Sequence, residues 1–194
     1  MQILFNAEDK PQAYVEGNGK YPEAPERCPQ KDCKAPIKMK KHGYYKRYIF
    51  VTGFFGIIRV RRYKCSVCGR TVSMLPSFCV PRLQYGVEII ILALLVAVEF
   101  SVKYAGTKWP GGAQNLTRRH IIYYRKRIIR NRGYIQLALN LMSPGFIELK
   151  QIAGDSEWTQ EFLKVATQIN PPRFNSKYHN LTGESFMSLH NKVA

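Results

Sequence analysis

Aromatic and β-branched side chains are frequent in residues 44–51, and further along the chain Ile58 and Val60 alternate with Arg59 and Arg61 at a period of two. This pattern predicts a β-hairpin with one buried face and one wet, basic face. We expect its strands over residues 44–51 and 57–63, with a break at Gly53 and Gly56. A sheet this small has too little core to stand alone, so the hairpin needs a further source of stability.

Beyond residue 83 the apolar positions follow helical spacing. Residues 87–100 are apolar nearly all round and predict a buried central helix. Glu88 and Glu99 interrupt this run, which is also shorter than the roughly 20 residues that span a bilayer. We therefore expect no membrane partner.

A second prominent helix is predicted from about residue 116 to at least residue 130, with Asn115 or Thr117 as its cap. The Trp-Pro-Gly-Gly segment at 109–112 separates it from a short helix expected over 101–105. Further packing helices are expected over residues 134–142, 145–152 and 156–169.

The fold class that follows is α+β, with a small β ribbon ahead of an all-α domain. We expect a short edge strand at 13–15, and we expect Pro171 and Pro172 to end the helical body. The predicted parts are a weakly structured lead-in (1–23), the β ribbon (24–82), the helical domain (83–170) and a partly ordered tail (171–194).

Four cysteines frame the hairpin in two pairs, Cys28 with Cys33 and Cys65 with Cys68. No apolar secretory signal opens the chain, so we expect a cytoplasmic protein, in which cysteine pairs are more often metal ligands than disulfides. Two such pairs around a hairpin are typical of a zinc ribbon. The sequence therefore predicts one structural Zn²⁺ that ties both ends of the small sheet.

Other interpretations of the cysteines are weaker. Coincidental buried thiols are one, and a redox Cys-x-x-Cys motif is another, but the βαβ context of that motif is absent. His42 is a further candidate ligand, although four thiolates already complete a closed tetrahedral shell and leave no position for a reactive water. Cys79 lies among apolar residues and is expected to pack as a small hydrophobic side chain.

The charge distribution points to a polyanionic partner. The formal net charge is +17 and the pI is about 9.8, while hydrophobic residues make up 45% of the chain, enough for a real core. No Asp or Glu occurs in residues 33–87 or in residues 100–147. A solvated surface usually mixes both signs, so these acid-free blocks favour nucleic acid, ahead of an anionic membrane surface.

Within the ribbon, the runs His42–Tyr45, Arg62–Thr71 and Ser73–Phe78 resemble the zinc ribbon of bacterial insertion-sequence transposases. The resemblance is strongest to transposase-derived ribbon proteins of Gram-positive bacteria, whose ribbon is followed by a helix-turn-helix-like segment. It covers about 28–86 well and extends loosely to about 142. It implies a DNA-binding module of a mobile element, zinc ligation by the four cysteines, and a plain packing role for position 79.

The helix predicted from residue 116 separates two kinds of side chain. Ile121, Tyr124 and Ile128 share one face, and a basic face that contains Tyr123 lies opposite. Such a helix can lie along a DNA groove, although the 109–112 loop is longer than a usual helix-turn-helix turn. The residues expected to contact nucleic acid are Lys46, Arg47, Arg59 and Arg61 on the hairpin, and Arg119, Tyr123, Lys126, Arg127 and Arg130 on the helix.

No catalytic constellation is apparent in the sequence. Transposases that cut DNA commonly use three carboxylates around two metal ions, whereas the only aspartates here, Asp9, Asp32 and Asp155, are scattered. We therefore predict a non-catalytic, nucleoid-associated zinc-ribbon protein that binds double-stranded DNA, either as a transposition accessory or as a regulator.

Two alternatives remain open at this point, and a homodimer is compatible with each of them. The chain is either the recognition subunit of a split transposase whose catalytic domain lies on a separate chain, or a ribbon for RNA or protein contacts. In the RNA case Tyr44, Tyr45 and Tyr48 would serve as stacking platforms.

Overall fold

The computed structural model describes residues 1–7, 11–16, 21–99, 116–142, 149 and 152–188. Within these residues the fold is α+β, as predicted, and it combines a four-stranded sheet with a helical body. The elements are β1 (Gln2–Phe5), α1 (Pro11–Glu16), β2 (Lys40–Val51), β3 (Phe54–Lys64), β4 (Thr71–Pro76), α2 (Val87–Glu99), α3 (Arg118–Arg130), α4 (Arg132–Met142), α5 (Asp155–Gln168) and α6 (Pro171–Thr182).

The sheet has the strand order β1-β4-β3-β2. Strands β2, β3 and β4 form an antiparallel meander, and β1 adds to the far edge parallel to β4. The predicted hairpin is confirmed, with a tight turn in which Gly53 has a positive φ of 76°. Gly56 lies inside β3 and opposite Ile49, so the break expected there is wrong.

The alternation predicted for β3 is also observed. Ile58 and Val60 are buried, whereas Arg59 between them is exposed. Near its start β2 carries a bulge between Lys41 and Tyr44, where Gly43 adopts a left-handed φ of 71°. The strands therefore alternate regularly only beyond this bulge.

The first residues of the chain are more ordered than the sequence pattern indicates. β1 pairs in register with β4, for example Ile3 with Met74, and residues 13–15 lie in α1. The edge strand expected at 13–15 is therefore wrong. Both elements depend on partners far along the chain, since Tyr14 packs against Phe78, and local periodicity cannot show such partners.

Helix α2 is the centre of the helical body, as predicted. Its Ile90, Ile91 and Leu94 are fully buried, and they share one core cluster with Trp158 and Phe162 of α5. Among the described residues, no helix has both the length and the apolar character that crossing a membrane requires.

The predicted basic helix is present as α3, and Thr117 is its N-cap. The backbone N–H of Thr117 donates to Nδ1 of His120 at 3.1 Å. A turn at Asn131, whose side chain donates to the carbonyl of Phe186 at 2.6 Å, separates α3 from α4. The helix expected over 101–105, the 109–112 loop and most of the 145–152 helix lie outside the described residues, so the helix-turn-helix assignment stays a prediction.

The Pro171–Pro172 pair begins a helix and does not end the helical body. Proline is tolerated in the first helical turn because its missing N–H has no intrahelical acceptor there. The Asn170 side chain caps this helix, α6, by accepting from the N–H of Arg173 at 3.2 Å. Phe174 is fully buried in the helical core, so α6 is an integral packing element where a partly ordered tail was expected.

The start of α5 also differs by one residue from the expectation. The sequence predicts a helix from residue 156, whereas the helix begins at Asp155 with Gly154 as its N-cap. Asp155 and Glu157 lie in its first turn, where acidic side chains interact favourably with the helix dipole.

Asn175 of α6 joins the helical body to the end of the sheet. Its side-chain amide donates to the carbonyl of Ser77 at 2.7 Å and to that of Cys79 at 2.8 Å. Both bonds are buried, and they satisfy two backbone acceptors that water does not reach.

Replacing Asn175 by Ala should therefore destabilise the protein by about 2–4 kcal/mol, because two buried carbonyls lose their donor. Urea unfolding monitored by circular dichroism measures this change. Asn180→Ala, at an exposed position on the same helix, is the matched control and should change stability by less than about 0.5 kcal/mol. Equal unfolding midpoints for the two variants would contradict the role given to Asn175.

Candidate metal centre and nucleic-acid interface

The first cysteine pair lies in a compact turn ahead of β2. The N–H of Cys28 donates to the carbonyl of Ala35, and the N–H groups of Cys33 and Lys34 both donate to the carbonyl of Gln30, each at 3.0 Å. Lys34 has a left-handed φ of 46°, which turns the chain back toward the sheet. The turn therefore presents both cysteine side chains on one side.

The second pair lies in the connection between β3 and β4. The N–H of Cys65 donates to the carbonyl of Arg70 at 2.9 Å, and the N–H of Gly69 donates to the carbonyl of Cys65 at 3.0 Å. Gly69 has a φ of 70°, the left-handed conformation that the Cys-x-x-Cys-Gly sequence predicts. We call residues 65–69 the second knuckle.

The two turns bring all four sulfur atoms together. The Sγ atoms of Cys28 and Cys68 are 3.7 Å apart, those of Cys33 and Cys65 are 3.9 Å apart, and all four lie within 4.8 Å of one another. A tetrahedral site with metal–sulfur bonds of about 2.3 Å separates its sulfurs by about 3.8 Å. The four cysteines are free thiols, and they could hold a metal ion.

The pKa values of the thiols differ strongly within the cluster. Burial, together with the neighbouring thiols, raises the pKa of Cys28 to about 12. Hydrogen bonds donated by the backbone N–H groups of Cys68 and Val67 lower the pKa of Cys65 to about 7. Cys65 therefore ionises more easily than Cys28, and a bound cation would stabilise the thiolate form of the buried Cys28.

The surroundings of the cluster match a structural site. Cys28 and Cys65 share a small apolar cluster with Met39, Tyr63 and Val72. On the outside, the guanidinium of Arg70 and the carboxylate of Asp32 form an ion pair of 2.6 Å that links the two turns. His42 lies outside the four-sulfur group.

Cys79 has a different environment from the other four cysteines. It is fully buried in the core of the sheet, and burial raises its pKa to about 12. Its thiol is therefore protonated and enclosed, which agrees with the packing role predicted from its apolar neighbours.

On the hairpin, the structure separates the four predicted basic residues. Lys46 and Arg59 face each other across β2 and β3, and both are exposed. They lie among exposed apolar and aromatic side chains, and the guanidinium of Arg59 stacks 5.0 Å from the Tyr44 ring centroid. We call this surface the hairpin outer face; it comprises Tyr44, Lys46, Tyr48, Phe55, Ile57 and Arg59.

Arg47 and Arg61 make contacts within the protein. The Arg47 side chain donates to the backbone carbonyls of Val80 and Leu83, next to the start of α2. The guanidinium of Arg61 lies 4.7 Å from the ring centroid of Tyr21. These two side chains hold neighbouring segments of the fold in place.

On α3, most of the predicted contact residues are exposed. Ile121, Tyr124 and Ile128 are buried in the helical core, as predicted. Arg127 is an exception on the basic side, since its guanidinium donates to the carbonyl of Met187 at 2.5 Å and stacks on Tyr123. We call the exposed set the α3 basic face; it comprises Arg119, Tyr123, Lys126 and Arg130.

A continuous chain of aromatic rings connects the hairpin outer face with α3. Phe55 stacks on Phe50 with ring centroids 4.3 Å apart, and Phe50 lies 5.1 Å from Tyr85. Tyr85 in turn lies 5.8 Å from His120 in the first turn of α3. The hairpin and α3 therefore belong to a single packed structure.

Sequence reasoning missed Phe55 and Ile57 as members of the hairpin outer face. It also assigned Tyr45 to a stacking platform, whereas Tyr45 lies on the opposite face, half-buried, and its hydroxyl accepts from Gln2 at 3.2 Å. The spacing along the strands could have predicted these positions, because alternate residues of a strand point to the same face.

Comparison with known families finds one match, and it leaves the function open. Residues 28–106, which include the four cysteines and β2 to α2, match a family described as a domain of unknown function (DUF6431). Neither the curated proteins nor the solved structures contain a significant match to this chain.

The cluster geometry leads to a metal prediction. We expect one zinc ion per chain, and Cys65→Ser should lose both the ion and the folded ribbon, because the remaining thiolates cannot close the site. Elemental analysis of the purified protein and the dispersion of amide resonances measure the two effects. Cys79→Ala is the control and should retain the metal; a metal-free wild-type protein would refute the prediction.

Proposed function

We propose that this protein is a non-catalytic zinc-ribbon protein that binds double-stranded DNA, as an accessory to transposition or as a regulator in the bacterial nucleoid. The observation that carries the proposal is the exposure of cationic and aromatic side chains on two surfaces, the hairpin outer face and the α3 basic face, in a chain of formal net charge +17. The four-cysteine cluster lies in the same ribbon and would act as its structural support.

Zinc is the metal that this donor set favours. Four thiolates in a tetrahedral arrangement are typical of structural zinc, which has no geometric preference of its own. The shell closes with protein ligands alone, so a reactive water has no position on the metal. The ion would fix the two turns and thereby the base of the hairpin.

The hairpin outer face has the electrostatic character that phosphate binding requires. Lys46 and Arg59 are directly opposite each other in the ladder, and like charges in this arrangement destabilise a sheet. Among the described residues neither side chain forms an ion pair. A bound phosphate between them would relieve the repulsion.

The α3 basic face presents a second cationic surface along a helix. Arg119, Lys126 and Arg130 are exposed over a stretch of twelve residues, a distance of about 16 Å along the axis. The major groove of B-DNA is about 12 Å wide and admits an α-helix, so a helix of this length can contact phosphates on both sides of the groove. Arginine could also bind the edge of a guanine base.

The two aspartates that the structure describes lie apart from each other. Asp32 is held by Arg70 beside the metal cluster, whereas Asp155 lies 3.5 Å from Arg132 at the start of α5. Each is neutralised by its own arginine, and they belong to different modules. Two-metal nuclease chemistry needs carboxylates that converge on shared ions.

Two related functions use the same surface. A recognition subunit of a split transposase would bind the same DNA and, in addition, a separate catalytic chain. Single-stranded RNA is favoured by a different observation, namely the exposure of Tyr44, Tyr48 and Phe55, which are 48%, 56% and 63% accessible. Exposed rings of this kind can stack on unpaired bases.

Binding to duplex DNA should weaken steeply as salt rises. With about five phosphate contacts, the affinity should fall roughly 500-fold between 50 and 200 mM salt, because each contact releases condensed counterions. Fluorescence anisotropy with a labelled random-sequence duplex measures this dependence. A salt-independent affinity would contradict the phosphate contacts, and stronger binding to single-stranded RNA in the same assay would favour the RNA function.

Replacing Arg119, Lys126 and Arg130 together by Ala should weaken duplex binding at least tenfold and reduce the salt slope by about three. Helix content measured by circular dichroism should stay unchanged, because all three side chains are exposed. The matched control replaces Lys164, Arg173 and Lys177 by Ala, which removes the same charge from α5 and α6. If the two triple variants bind DNA equally, α3 has no place in the interface.

A further inference from the structure

A second cationic site lies next to the metal cluster, and it shares no residue with the two surfaces described above. A groove of about 620 Å³ separates the second knuckle from the base of the hairpin. Its walls are formed by Lys40, Lys41 and His42 of β2, Lys64 of β3 and residues 65–69. We call it the knuckle groove.

The strand register concentrates positive charge in this groove. Lys40 is directly opposite Lys64 in the antiparallel ladder, and Lys41 follows it. Facing lysines repel each other and destabilise the pair of strands that carries them. Nothing in the hairpin itself compensates this repulsion.

The lysine just before β2 provides a contrast. The Nζ atom of Lys38 lies 2.8 Å from a carboxylate oxygen of Glu26 and 3.7 Å from one of Glu23. Lys40, Lys41 and Lys64, by comparison, form no ion pair among the residues that the structure describes. The fold thus neutralises the lysine outside the groove with carboxylates. The lysines inside it face only the metal cluster, whose four thiolates around a divalent ion would offset part of the three lysine charges and leave the rest for another anion.

The β-bulge completes the site. In a regular strand, neighbouring side chains point to opposite faces, so Lys41 and His42 would diverge. The bulge after Lys41, with its left-handed Gly43, interrupts that alternation, and both residues line the groove. The exposed Ser66 of the second knuckle adds a hydroxyl on the opposite wall.

We propose that the knuckle groove is a binding site for a phosphate group. Three ammonium groups and a hydroxyl around an open groove suit a tetrahedral anion with several acceptor oxygens. The phosphate is carried either by a nucleic-acid backbone or by a free inorganic ion. If the phosphate belongs to a nucleic acid, the groove is part of the proposed DNA-binding surface. Only this identification of the carrier rests on the proposed function.

Inorganic phosphate titrated into the metal-loaded full chain tests this site. We expect saturable shifts of the backbone amides of residues 66–69 in NMR spectra, which potassium chloride at equal ionic strength does not reproduce. Lys40→Thr with Lys64→Thr should weaken phosphate binding at least tenfold, and threonine preserves strand propensity.

The matched control is Lys31→Ser with Lys34→Asn, which removes two charges from the other cysteine turn; asparagine tolerates the left-handed conformation of Lys34. This control should bind phosphate like the wild type. The proposal is overturned if potassium chloride produces the same amide shifts as phosphate. It is also overturned if both double variants lose the same phosphate affinity, or if Lys40→Thr/Lys64→Thr keeps the affinity of the wild type.

Binding of duplex DNA by the same variants then distinguishes the two carriers of the phosphate group. A loss of duplex affinity in Lys40→Thr/Lys64→Thr beyond that of the control assigns the site to a nucleic-acid phosphate. Loss of inorganic phosphate binding with full duplex affinity assigns it to a free anion. If the wild type binds phosphate in the groove but no nucleic acid, this site stands while the proposed function fails.

Discussion

The convergence of four sulfur atoms at one end of the sheet is the constraint on which the ribbon depends. Cys28 and Cys68 are 40 residues apart in the chain, and ordering the loop between them costs conformational entropy. The apolar cluster that could offset this cost is small, and it contains Cys28 and Cys65 themselves. A metal ion held by the four cysteines would therefore couple its binding to the packing of this end of the sheet, while Ile49, Val51, Ile58 and Val60 hold the other end of the hairpin in a separate apolar cluster.

Much of the fold could be predicted from the sequence because its main elements carry their own periodicity. The hairpin alternates with a period of two, α2 is apolar all round, and α3 separates isoleucines from arginines. β1 and α1 were not predicted because each is short and is stabilised by residues that are distant in the chain. α6 was not predicted because Pro171 and Pro172 were expected to end the helical body. The same two residues also fit the first turn of a helix.

The candidate site was predictable in its chemistry and less so in its geometry. The cysteine spacing was sufficient to group four thiols, since tight turns leave few alternatives. Composition could not show which basic residues reach solvent. Alternate residues of a strand point to the same face, so Arg47 lies on the same face as the buried Ile49 and Val51. This spacing indicates that Arg47 points inward and Lys46 points outward. Arg127 is held by the carbonyl of Met187, a partner 60 residues away that no local pattern indicates.

Side chains of the hairpin and of α6 both hold the segment between the sheet and α2. Arg47 holds the carbonyls of Val80 and Leu83, Asn175 holds those of Ser77 and Cys79, and Phe50 pairs with Tyr85 like a neighbouring strand. A connection anchored in this way cannot act as a hinge, so the distance between the hairpin and α3 is set by the protein. If duplex DNA is the partner, as proposed, it has to match this fixed spacing. The energy of deforming the duplex to do so would then discriminate among sequences at base pairs that no side chain touches.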